Sequence, residues 1–483
     1  RLSGSHGSPV VCRPDRSRAP DVEPRTRRWL PRGRRSLLIR RAGHHGDDAS
    51  HKRPWVRILA SLWASTGLRF KVWRARVGRE ARKRVGPMEE NVLDYNLNVL
   101  PLLLPTRLSN GSDEYGVTDR LWRKTVYWAR LHDRQMYGTL DRFGQRNCQG
   151  KVAVLGGGAF GTAMAAHVAR KGNPVSLLVR DPFVRDFINE RHINPNYLCE
   201  YDLPPNLTAC TDAQEAFQEC SAVIHAVPVQ ASRKALVALR HTFPRGIPII
   251  AVSKGLELGS QKLMCDVISE ALERTSAENP VVVVSGPSFA KEIMDRRPTS
   301  VVAASKEHTA ALQVQRLLMS PNFRVSTTED VTGVEVAGAL KNVLAIAAGI
   351  CEGLGLGLNA MSALICQGAA EIRWLSTAMG GRPETLAGLS GIGDILLTCY
   401  GSLSRNRSVG VRLGRGETLK DIMKSSGGVS EGVFTAKLVV ELADSHRVLL
   451  PVLTAVARIL NGEVSARQAV FEVLSLPPLP ESA

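Results

Sequence analysis

One lysine in this sequence lies where a charged side chain is costly to place. Lys341 falls within residues 335–349, a segment that is apolar on nearly every face and is therefore predicted to be a buried helix. Burial lowers the pKa of a lysine toward the range that is useful for proton transfer. In the alternative, the long stem carries the ammonium group to the surface. We favour a functional lysine, because a structural lysine seldom lies among so many small apolar residues.

Three further charged residues could work beside Lys341. Lys254 follows a strand-type apolar run, so its ammonium group is expected at the edge of a crevice, where it could polarise a carbonyl group or hold a phosphate. Asp394 and Arg405 lie in two polar segments that flank a helical turn, and a guanidinium group matches phosphate oxygens with two parallel donors. Taken singly, each residue would be assigned to a solvated surface or to a turn. Together they describe one cleft.

A glycine-rich turn indicates what else binds in this cleft. The apolar run 152–155 leads directly into Gly156-x-Gly158-x-x-Gly161, and a helix is predicted over residues 162–170. In such a turn the first glycine permits a sharp bend and the second lets the backbone approach a pyrophosphate. The third lets the helix pack close to the strand, and the N–H groups at the start of the helix face the anion. The placement between strand and helix, more than the motif alone, predicts a dinucleotide-binding turn.

The elements around these residues alternate between strand and helix patterns. Continuous runs of Val, Ile and Ala predict buried strands at 152–155, 175–179, 222–227, 247–252, 281–284 and 300–304. Helical patterns lie between several of them, at 161–171, 213–219, 230–240 and 260–274. The alternation predicts an α/β fold, with a Rossmann doubly wound parallel sheet over residues 151–330 and a ligand crevice at the C-terminal ends of its strands.

The strand pattern stops after about residue 331. Helices are predicted at 334–350, 360–379, 419–424, 434–445 and 453–460, with glycine-rich turns between them. We therefore predict an all-helical C-terminal domain over residues 331–475 that closes over the crevice and carries Lys341.

The second predicted strand ends next to Arg180, which is followed by Asp181. An acidic residue about 20 residues past the glycines usually binds the ribose 2′-hydroxyl of NAD. An arginine there suits the 2′-phosphate of NADP or stacks on the adenine. Both residue types occur here, and Arg180 could equally be a surface charge. These residues leave the choice between NAD and NADP open.

The basic charge of the chain is confined to its N-terminal end. Residues 1–87 contain 23 Lys and Arg against 6 Asp and Glu, whereas the remaining residues contain 40 against 39. The net charge of +18 therefore does not describe a basic face on the globular part, and no nucleic acid partner is expected. Residues 1–87 are predicted to be a disordered basic leader. The leader is either an organelle transit peptide or untranslated sequence upstream of a start at Met88.

Three other features limit the function. Residues 88–150 are predicted to form a partly helical extension, in which 119–134 is a helix that docks on the body rather than on a membrane surface. The longest apolar stretch, residues 343–350, is shorter than the roughly 20 residues that span a bilayer, so no transmembrane segment is predicted. The nine cysteines are scattered without metal-ligand spacing, so we predict free thiols and no metal site.

Eight short motifs follow one another between residues 151 and 475. In chain order they are GGGAFGTAMA, HAVPVQ, SKGLE, SGPSFAKE, GALKNVLAIAAG, GLSGIGDILLTC, SRNRSVG and SEGVFTA. Together they resemble the NAD(P)-dependent glycerol-3-phosphate dehydrogenases of the bacterial and plastid type. The resemblance implies reduction of dihydroxyacetone phosphate to glycerol 3-phosphate for glycerolipid synthesis, with NAD as the cofactor and NADP as the alternative. It also implies a homodimer in the chloroplast stroma, or in the cytoplasm if the leader is not translated.

The resemblance also assigns roles to individual residues. It implies that Lys341 is the general acid/base that protonates the developing alkoxide, with Lys254 and Asp394 as the other catalytic groups. Substrate contacts are implied for Lys254, Gly286, Ser288, Lys341, Asp394, Ser404, Arg405 and Asn406, with Arg405 on the phosphate. Cofactor contacts are expected from Gly156, Gly157, Gly158, Ala159, Phe160, Gly161 and Arg180, and by resemblance from Lys254, Ala290, Arg405, Val429 and Glu431.

Two other functions are alternatives. A dehydrogenase of the β-hydroxyacid or 6-phosphogluconate group shares a Rossmann domain, a helical partner domain and a lysine on a buried helix. A non-catalytic module that senses NADH would not need Lys341 or Arg405, yet both lie in intact motifs, which disfavours it. Rates with dihydroxyacetone phosphate and with hydroxyacids discriminate between the first alternative and a glycerol-3-phosphate dehydrogenase.

Overall fold

The structure, a computed structural model, describes residues 150–425 and 430–477. Several predictions fall outside the described residues. They concern the leader over 1–87, the extension that follows it, with its predicted helix over 119–134, and the contact of Val429. The described residues form a sheet with flanking helices, followed by a group of helices without strands.

A sheet of eight strands forms the first part of the described chain. Its strands are β1 (Lys151–Leu155), β2 (Val175–Leu178), β3 (Leu207–Cys210), β4 (Cys220–His225), β5 (Ile249–Ala251), β6 (Val281–Ser285), β7 (Thr299–Ala304) and β8 (Phe323–Thr328). They lie in the order β3-β2-β1-β4-β5-β6-β7-β8, and all neighbours are parallel except β6 and β7. The strand order reverses between β1 and β4, so the ligand crevice of this Rossmann sheet lies outside the C-terminal ends of these strands.

The strand prediction misses the two edge strands, β3 and β8. Both lack the continuous apolar run of a central strand: in β8, buried Phe323 and Val325 alternate with exposed Arg324. Such alternation is typical of a strand that is buried on one face only. The antiparallel direction of β7 also has no signature in the sequence, since its apolar run reads like that of its parallel neighbours.

Helices connect the strands and then make up the remainder of the described chain. Those between strands are α1 (Ala159–Arg170), α2 (Pro182–Arg191), α3 (Ala213–Phe217), α4 (Val229–Leu239), α5 (Met264–Leu272), α6 (Ala290–Met294) and α7 (His308–Leu318). After β8 come α8 (Val331–Gly353), α9 (Gly357–Ala378), α10 (Asp394–Tyr400), α11 (Arg405–Gly414), α12 (Leu419–Ser425), α13 (Glu431–His446), α14 (Pro451–Leu460) and α15 (Ala466–Leu474). The predicted fold class, a Rossmann sheet followed by an all-helical part, is confirmed. The sequence pattern did not predict α2, α6, α7 and α15, and it indicated only a turn where α10 and α11 form.

Apolar side chains cover both faces of the sheet because successive strand residues point to opposite sides. In β1, Val152 and Val154 pack into one core cluster, and Ala153 and Leu155 pack into another. A third cluster surrounds α8 in the helical part. Burying a side chain of the size of Val or Leu contributes about 1.5–3 kcal/mol, so these clusters hold the sheet and the helices together.

Helix α8 lies at the centre of the helical part, and residues 333–351 are all buried. Among the described helices, only α8 is long and apolar enough to cross a membrane, and its apolar window is wholly buried inside the protein. Burial in the core therefore accounts for its composition. Helix α11 crosses α8 at close range: a Cβ on Gly349 would lie 2.1 Å from Arg407 O, and one on Gly410 would lie 2.1 Å from Ile346 O. The two glycines let α11 pack closely against the helix that carries Lys341.

Candidate active site

Three charged side chains converge between the sheet and α8. Asp394 lies between two lysines: Lys254 Nζ is 2.6 Å from Asp394 Oδ2, and Lys341 Nζ is 3.1 Å from Asp394 Oδ1. The side chains of Asp394 and Lys341 are 2% and 7% exposed, and that of Lys254 is 17% exposed. One carboxylate therefore serves two shielded ammonium groups, and the excess positive charge suits an anionic ligand.

Burial changes the acidity of this cluster. Burial is the largest influence on Lys341 and, together with repulsion from Lys254, lowers its pKa to about 8, although Asp394 opposes the change. Burial also acts to raise the pKa of Asp394, but attraction to both lysines outweighs it, and the pKa is lowered overall. Asp394 is therefore ionised at neutral pH, while Lys341 can give up or accept a proton near the physiological range.

Each member of the cluster reaches it from a different element. Lys254 lies in the loop that follows β5, and Lys341 lies in the middle of α8. Asp394 is the first residue of α10, directly after a π-helical turn, Leu389–Gly393, that is kinked at Gly391. π-helical turns are frequent at functional sites, and this one leads directly into Asp394.

The loop that follows β6 supplies polar atoms next to Lys254. Gly286 O accepts from Lys254 Nζ at 3.1 Å and from Ser288 Oγ at 2.9 Å. Gly286 has a φ of +135°, and a Cβ there would lie 2.9 Å from Val301 Cα, so the position requires glycine. Ala290 begins α6 and is half-buried. Gly286 and Ser288, both predicted from the sequence, thus join the lysine cluster.

The glycine turn lies at the C-terminal end of β1, where the strand order reverses. Gly156 has a φ of +104°, and a Cβ on Gly161 would lie 2.0 Å from Gly156 O. A Cβ on Gly157 would lie 2.7 Å from Val179 Cγ1. These three glycines therefore keep the turn tight against the sheet.

The start of α1 is suited to an anion. Apart from Gly158 and its two chain neighbours, no heavy atom of the described residues lies within 4 Å of the Cβ position of Gly158, so this side of the turn is open. Among the described residues no side chain caps α1 at Gly158, and its first turn, which includes Ala159 and Phe160, contains no acidic residue. The first N–H groups of the helix and its dipole are thus available to a pyrophosphate. The residues present fit a dinucleotide.

Arg180 is exposed, whereas the neighbouring Asp181 forms a hydrogen bond within the protein. Asp181 caps α2, and its Oδ1 accepts from the Phe183 N–H at 2.9 Å. Arg180 is exposed and follows β2, which pairs with β1 next to the glycine turn. Asp181 therefore has a structural partner, whereas the side chain of Arg180 extends into solvent on the side of β1 where an adenosine ribose would bind.

The start of α11 holds two further predicted residues in its own hydrogen bonds. Ser404 Oγ accepts from the Arg407 N–H at 3.2 Å and caps the helix. Asn406 Nδ2 donates to Asn342 Oδ1 at 2.9 Å, and Asn406 Oδ1 accepts from the Gly432 N–H at 3.1 Å. Asn406 thus links α11 to α8 and α13.

Arg405 is the exposed first residue of α11. Within the described residues its side chain forms no hydrogen bond or ion pair, but its charge acts on Glu431. Glu431 Oε1 accepts from the Val229 N–H at 3.2 Å. Burial raises the pKa of Glu431, while the Val229 N–H and Arg405 act to lower it. Arg405 and Glu431 therefore form a second charged group, separate from the cluster around Asp394 in its hydrogen bonds and ion pairs within the described residues.

Thr398, which was not predicted from the sequence, contacts Lys341. Lys341 Nζ donates to Thr398 Oγ1 at 2.7 Å, and this hydroxyl donates to Asp394 O at 2.6 Å. Thr398 lies four residues after Asp394, which is the spacing of neighbours on one helix face, so the motif itself contained the signal. In the described ranges there is no group of three or more His, Cys, Asp and Glu residues that could hold a metal ion.

A Rossmann sheet with an open glycine turn, joined to a buried cluster of lysines and a carboxylate, defines a dinucleotide-dependent oxidoreductase. Family models narrow this class. The model described as the N-terminus of NAD-dependent glycerol-3-phosphate dehydrogenase matches residues 151–311, and that of the C-terminus matches residues 330–471. The chain belongs to the NAD-dependent glycerol-3-phosphate dehydrogenase family.

Individual relatives agree with the family models. The chain is 50% identical to the chloroplastic glycerol-3-phosphate dehydrogenase (NAD+) 2 of Arabidopsis thaliana over 380 residues. These residues cover 78% of this chain and 89% of that protein. It is 41% identical over 331 residues to the glycerol-3-phosphate dehydrogenase (NAD(P)+) of Xanthomonas campestris, covering 68% of this chain and 96% of that protein. The crystal structure of glycerol-3-phosphate dehydrogenase from Coxiella burnetii is similar with a TM-score of 0.65 and 35% identity, covering 68% of this chain and all of that one.

Proposed function

We propose that the protein reduces dihydroxyacetone phosphate to glycerol 3-phosphate with NADH or NADPH, and that Lys341 supplies the proton. The observation that carries the proposal is the ion-paired cluster of Lys254, Asp394 and Lys341, in which a fully buried lysine has a pKa of about 8. NAD(P)H, when bound, supplies the hydride to the carbonyl carbon. The family relatives support the same substrate.

In this mechanism the chain provides the proton and the fixed positive charge. As the carbonyl oxygen becomes an alkoxide, the Lys341 ammonium group donates a proton to it. Lys254 stabilises the developing negative charge, and Asp394 keeps both ammonium groups oriented. Burial excludes water and strengthens each of these interactions. In the reverse reaction neutral Lys341 accepts the hydroxyl proton of glycerol 3-phosphate.

The experiment that tests the proposal measures steady-state oxidation of NADH and of NADPH with dihydroxyacetone phosphate as the substrate. Turnover with at least one cofactor, and much slower turnover with β-hydroxyacids or 6-phosphogluconate in the reverse direction, is the expected result. Turnover only with hydroxyacids would support the alternative dehydrogenase group, and NADH binding without turnover would support the sensing module.

We propose that the phosphate of the substrate binds Arg405 at the start of α11. The guanidinium group is exposed and without a partner among the described residues, and helix N-termini favour anions. Ser288, Ser404 and Asn406 are proposed as further substrate contacts, and Gly286, Lys254, Asp394 and Lys341 as the groups around the carbonyl.

Arg405→Lys should raise the KM for dihydroxyacetone phosphate by about tenfold with a smaller change in kcat, because a point charge replaces a two-pronged donor. Arg412→Lys is the matched control, since Arg412 lies on the same helix and pairs with Glu417. Initial rates over a range of substrate concentrations give KM for each variant. An unchanged KM in Arg405→Lys would contradict phosphate binding by Arg405.

For the cofactor, we propose contacts with the glycine turn, Gly156, Gly157, Gly158, Ala159, Phe160 and Gly161, and with Arg180, Lys254, Ala290, Arg405, Val429 and Glu431. The engagement of Asp181 as a helix cap and the exposure of Arg180 support an adenosine ribose or its 2′-phosphate bound next to Arg180. We further infer that residues 151–330 bind the nucleotide and residues 331–475 supply the acid and the phosphate site.

We also propose a homodimer and a location in the plastid stroma, with a role in glycerolipid synthesis. Strongly exposed apolar side chains on the helical part, among them Leu358, Phe471 and Leu474, support self-association. A monomer mass in light scattering would contradict the dimer. The chloroplastic relatives and the basic residues 1–87 support the location. Cytoplasmic retention of a fluorescent protein fused behind residues 1–87 would contradict it.

A further inference from the structure

A small cavity lies next to the lysine cluster, and the mechanism above does not use it. It leaves about 10 Å³ for the centre of a water molecule, and its walls include Ser253, Lys254, Ser285, Glu335 and Gly338. This space corresponds to about one water molecule. The walls come from the loop after β5, from the end of β6 and from α8, so the cavity lies where the sheet meets the helix that carries Lys341.

Three buried oxygen atoms in these walls have no hydrogen-bond partner among the described residues. They are Ser253 Oγ, Ser285 Oγ and Glu335 Oε2. A buried polar atom without a partner costs about 1–3 kcal/mol, and three of them around one cavity of this size indicate a shared ligand. Water matches them, since it can donate to the carboxylate while it accepts from the serine hydroxyls, and buried waters typically make about three hydrogen bonds.

The other carboxylate oxygen of Glu335, Oε1, forms the hydrogen bond that holds the side chain in place. Glu335 Oε1 accepts from the Cys265 N–H at 3.2 Å, at the start of α5, where no side chain of α5's own N-cap residue bonds the helix. This contact fixes the carboxylate across the boundary between α8 and the sheet, in the wall of the cavity, and Oε2 is left without a partner among the described residues. Glu335 is therefore held in place and still has one free acceptor.

We propose that the cavity binds one water molecule, and that Glu335 acts through this water as a positioning residue for Lys254. Ser253 precedes Lys254 in the chain, and Ser285 precedes Gly286, whose carbonyl oxygen accepts from Lys254 Nζ. A water shared by both serines and Glu335 ties the two segments around the Lys254 ammonium group to α8. The inference rests on the proposed reduction of dihydroxyacetone phosphate.

Glycine at position 338 keeps the cavity open. A Cβ there would lie 3.2 Å from Ser285 Oγ and 3.7 Å from Lys254 Cγ. Alanine would therefore occupy the space next to both side chains without removing a charge or a hydrogen-bonding atom. Gly338→Ala is accordingly a variant that displaces the water and leaves Glu335, Ser253 and Ser285 in place.

The protonation of Glu335 adds a pH dependence. Burial raises its pKa to about 7, Cys265 opposes the change through its hydrogen bonds, and Asp266 of the same helix reinforces it. Lys254 is the other charged group that lines the cavity. Above pH 7 the ionised carboxylate accepts a charge-assisted hydrogen bond from the water and attracts Lys254, whereas below pH 7 the neutral carboxyl group accepts more weakly and no longer attracts Lys254.

The test compares kcat/KM for dihydroxyacetone phosphate, from about pH 6 to about pH 9, in the wild type and in Glu335→Gln. Above pH 7, we expect kcat/KM of Glu335→Gln to be about tenfold lower than that of the wild type, which is the effect of one charge-assisted hydrogen bond. The increase in the wild-type kcat/KM near pH 7, where Glu335 ionises, should be absent from the variant. A profile of Glu335→Gln that superimposes on that of the wild type overturns the proposal.

Glu371→Gln is the matched control. Glu371 is also fully buried, also has a pKa raised to about 7 by burial, and also binds the start of a helix, through the N–H groups of Val452 and Leu453. It lies in the helical part and does not line the cavity, so its variant should change stability and leave the activity profile as in the wild type. Equal changes in both variants would mean that Glu335 has only a structural role and would overturn the proposal.

A high-resolution crystal structure tests the water without turnover. Density for a water bonded to Ser253, Ser285 and Glu335 is expected in the wild type and not in Gly338→Ala, which should also lose kcat/KM. If Glu335→Gln does not fold, an unchanged kcat/KM in Gly338→Ala overturns the proposal. Absence of the water from the wild type overturns it in any case. A wild type that is inactive on dihydroxyacetone phosphate would reject the proposed function, and the water site would still be decided by the crystal structure.

Discussion

Replacing Lys341 by methionine should reduce kcat for dihydroxyacetone phosphate by about 10²- to 10⁴-fold, the usual contribution of a general acid. Methionine fills a similar volume and is apolar, which suits a position that is 6% exposed inside the buried helix α8. Asp394 keeps Lys254 as its partner, so the carboxylate is not left alone. We therefore expect a folded protein that lacks only the proton donor.

The affinity for NADH separates this result from general damage. Lys341 does not belong to the glycine turn, so a fluorescence titration should give nearly the same Kd for NADH in the variant and in the wild type. Lys262→Met is the control, because Lys262 is exposed and pairs with Glu270 on the surface; it should retain full activity. Turnover of Lys341→Met within a few fold of the wild type would remove the acid/base role from Lys341.

Asp394→Asn should have the second large effect, on both stability and activity. The carboxylate is fully buried and compensates two ammonium groups, and removing one partner of a buried ion pair costs on the order of 3–5 kcal/mol. If a similar loss applies to the transition state, kcat/KM falls by about 10²- to 10⁴-fold. Thermal unfolding and steady-state rates measure the two effects on the same samples.

The pH dependence of this variant gives the sign of the interaction. Asp394 raises the pKa of Lys341, whereas burial and Lys254 lower it. Without the carboxylate the pKa of Lys341 falls below about 8, so the alkaline loss of reduction activity should begin at lower pH. Asp330→Asn is the control, since Asp330 is buried but caps α8 through the Gly333 N–H instead of pairing with a lysine. A pH profile of Asp394→Asn identical to that of the wild type would contradict the pairing.

The sequence indicated that Lys254, Lys341 and Asp394 lie in one cleft, but it did not indicate how they pair. Lys341 could be recognised because an amphipathic pattern is missing around it, and Lys254 because residues after parallel strands meet at one edge of a sheet. The pairing of Asp394 with both lysines depends on the π-helical turn before α10, and no local propensity indicates its direction. Glu335 has an ordinary role in its own helix, and only the tertiary structure brings it to the lysines. Thr398, which bonds Lys341, could have been found from its spacing of four residues after Asp394.

The fold shows the same division between local and tertiary information. Central strands were predicted because burial on both faces leaves a continuous apolar run, and the edge strands β3 and β8 were missed because they lack one. The close crossing of α8 and α11 through Gly349 and Gly410 was not predicted, since an isolated glycine in a helical pattern does not by itself indicate which helix packs against it. The crossing packs α11, which begins with Arg405, against the helix of Lys341.

The pH dependence of kcat/KM for dihydroxyacetone phosphate reduction tests the central claim most directly, namely that the buried Lys341 ammonium group is the proton donor. Its pKa is lowered to about 8, so the donor is protonated below this pH and lost above it. Because kcat/KM reports groups of the free enzyme, we expect it to be independent of this group below about pH 8 and to fall about tenfold per pH unit above it, with the alkaline limb absent in Lys341→Met. A kcat/KM that stays constant to about pH 10, the ordinary range of a lysine, would contradict the account.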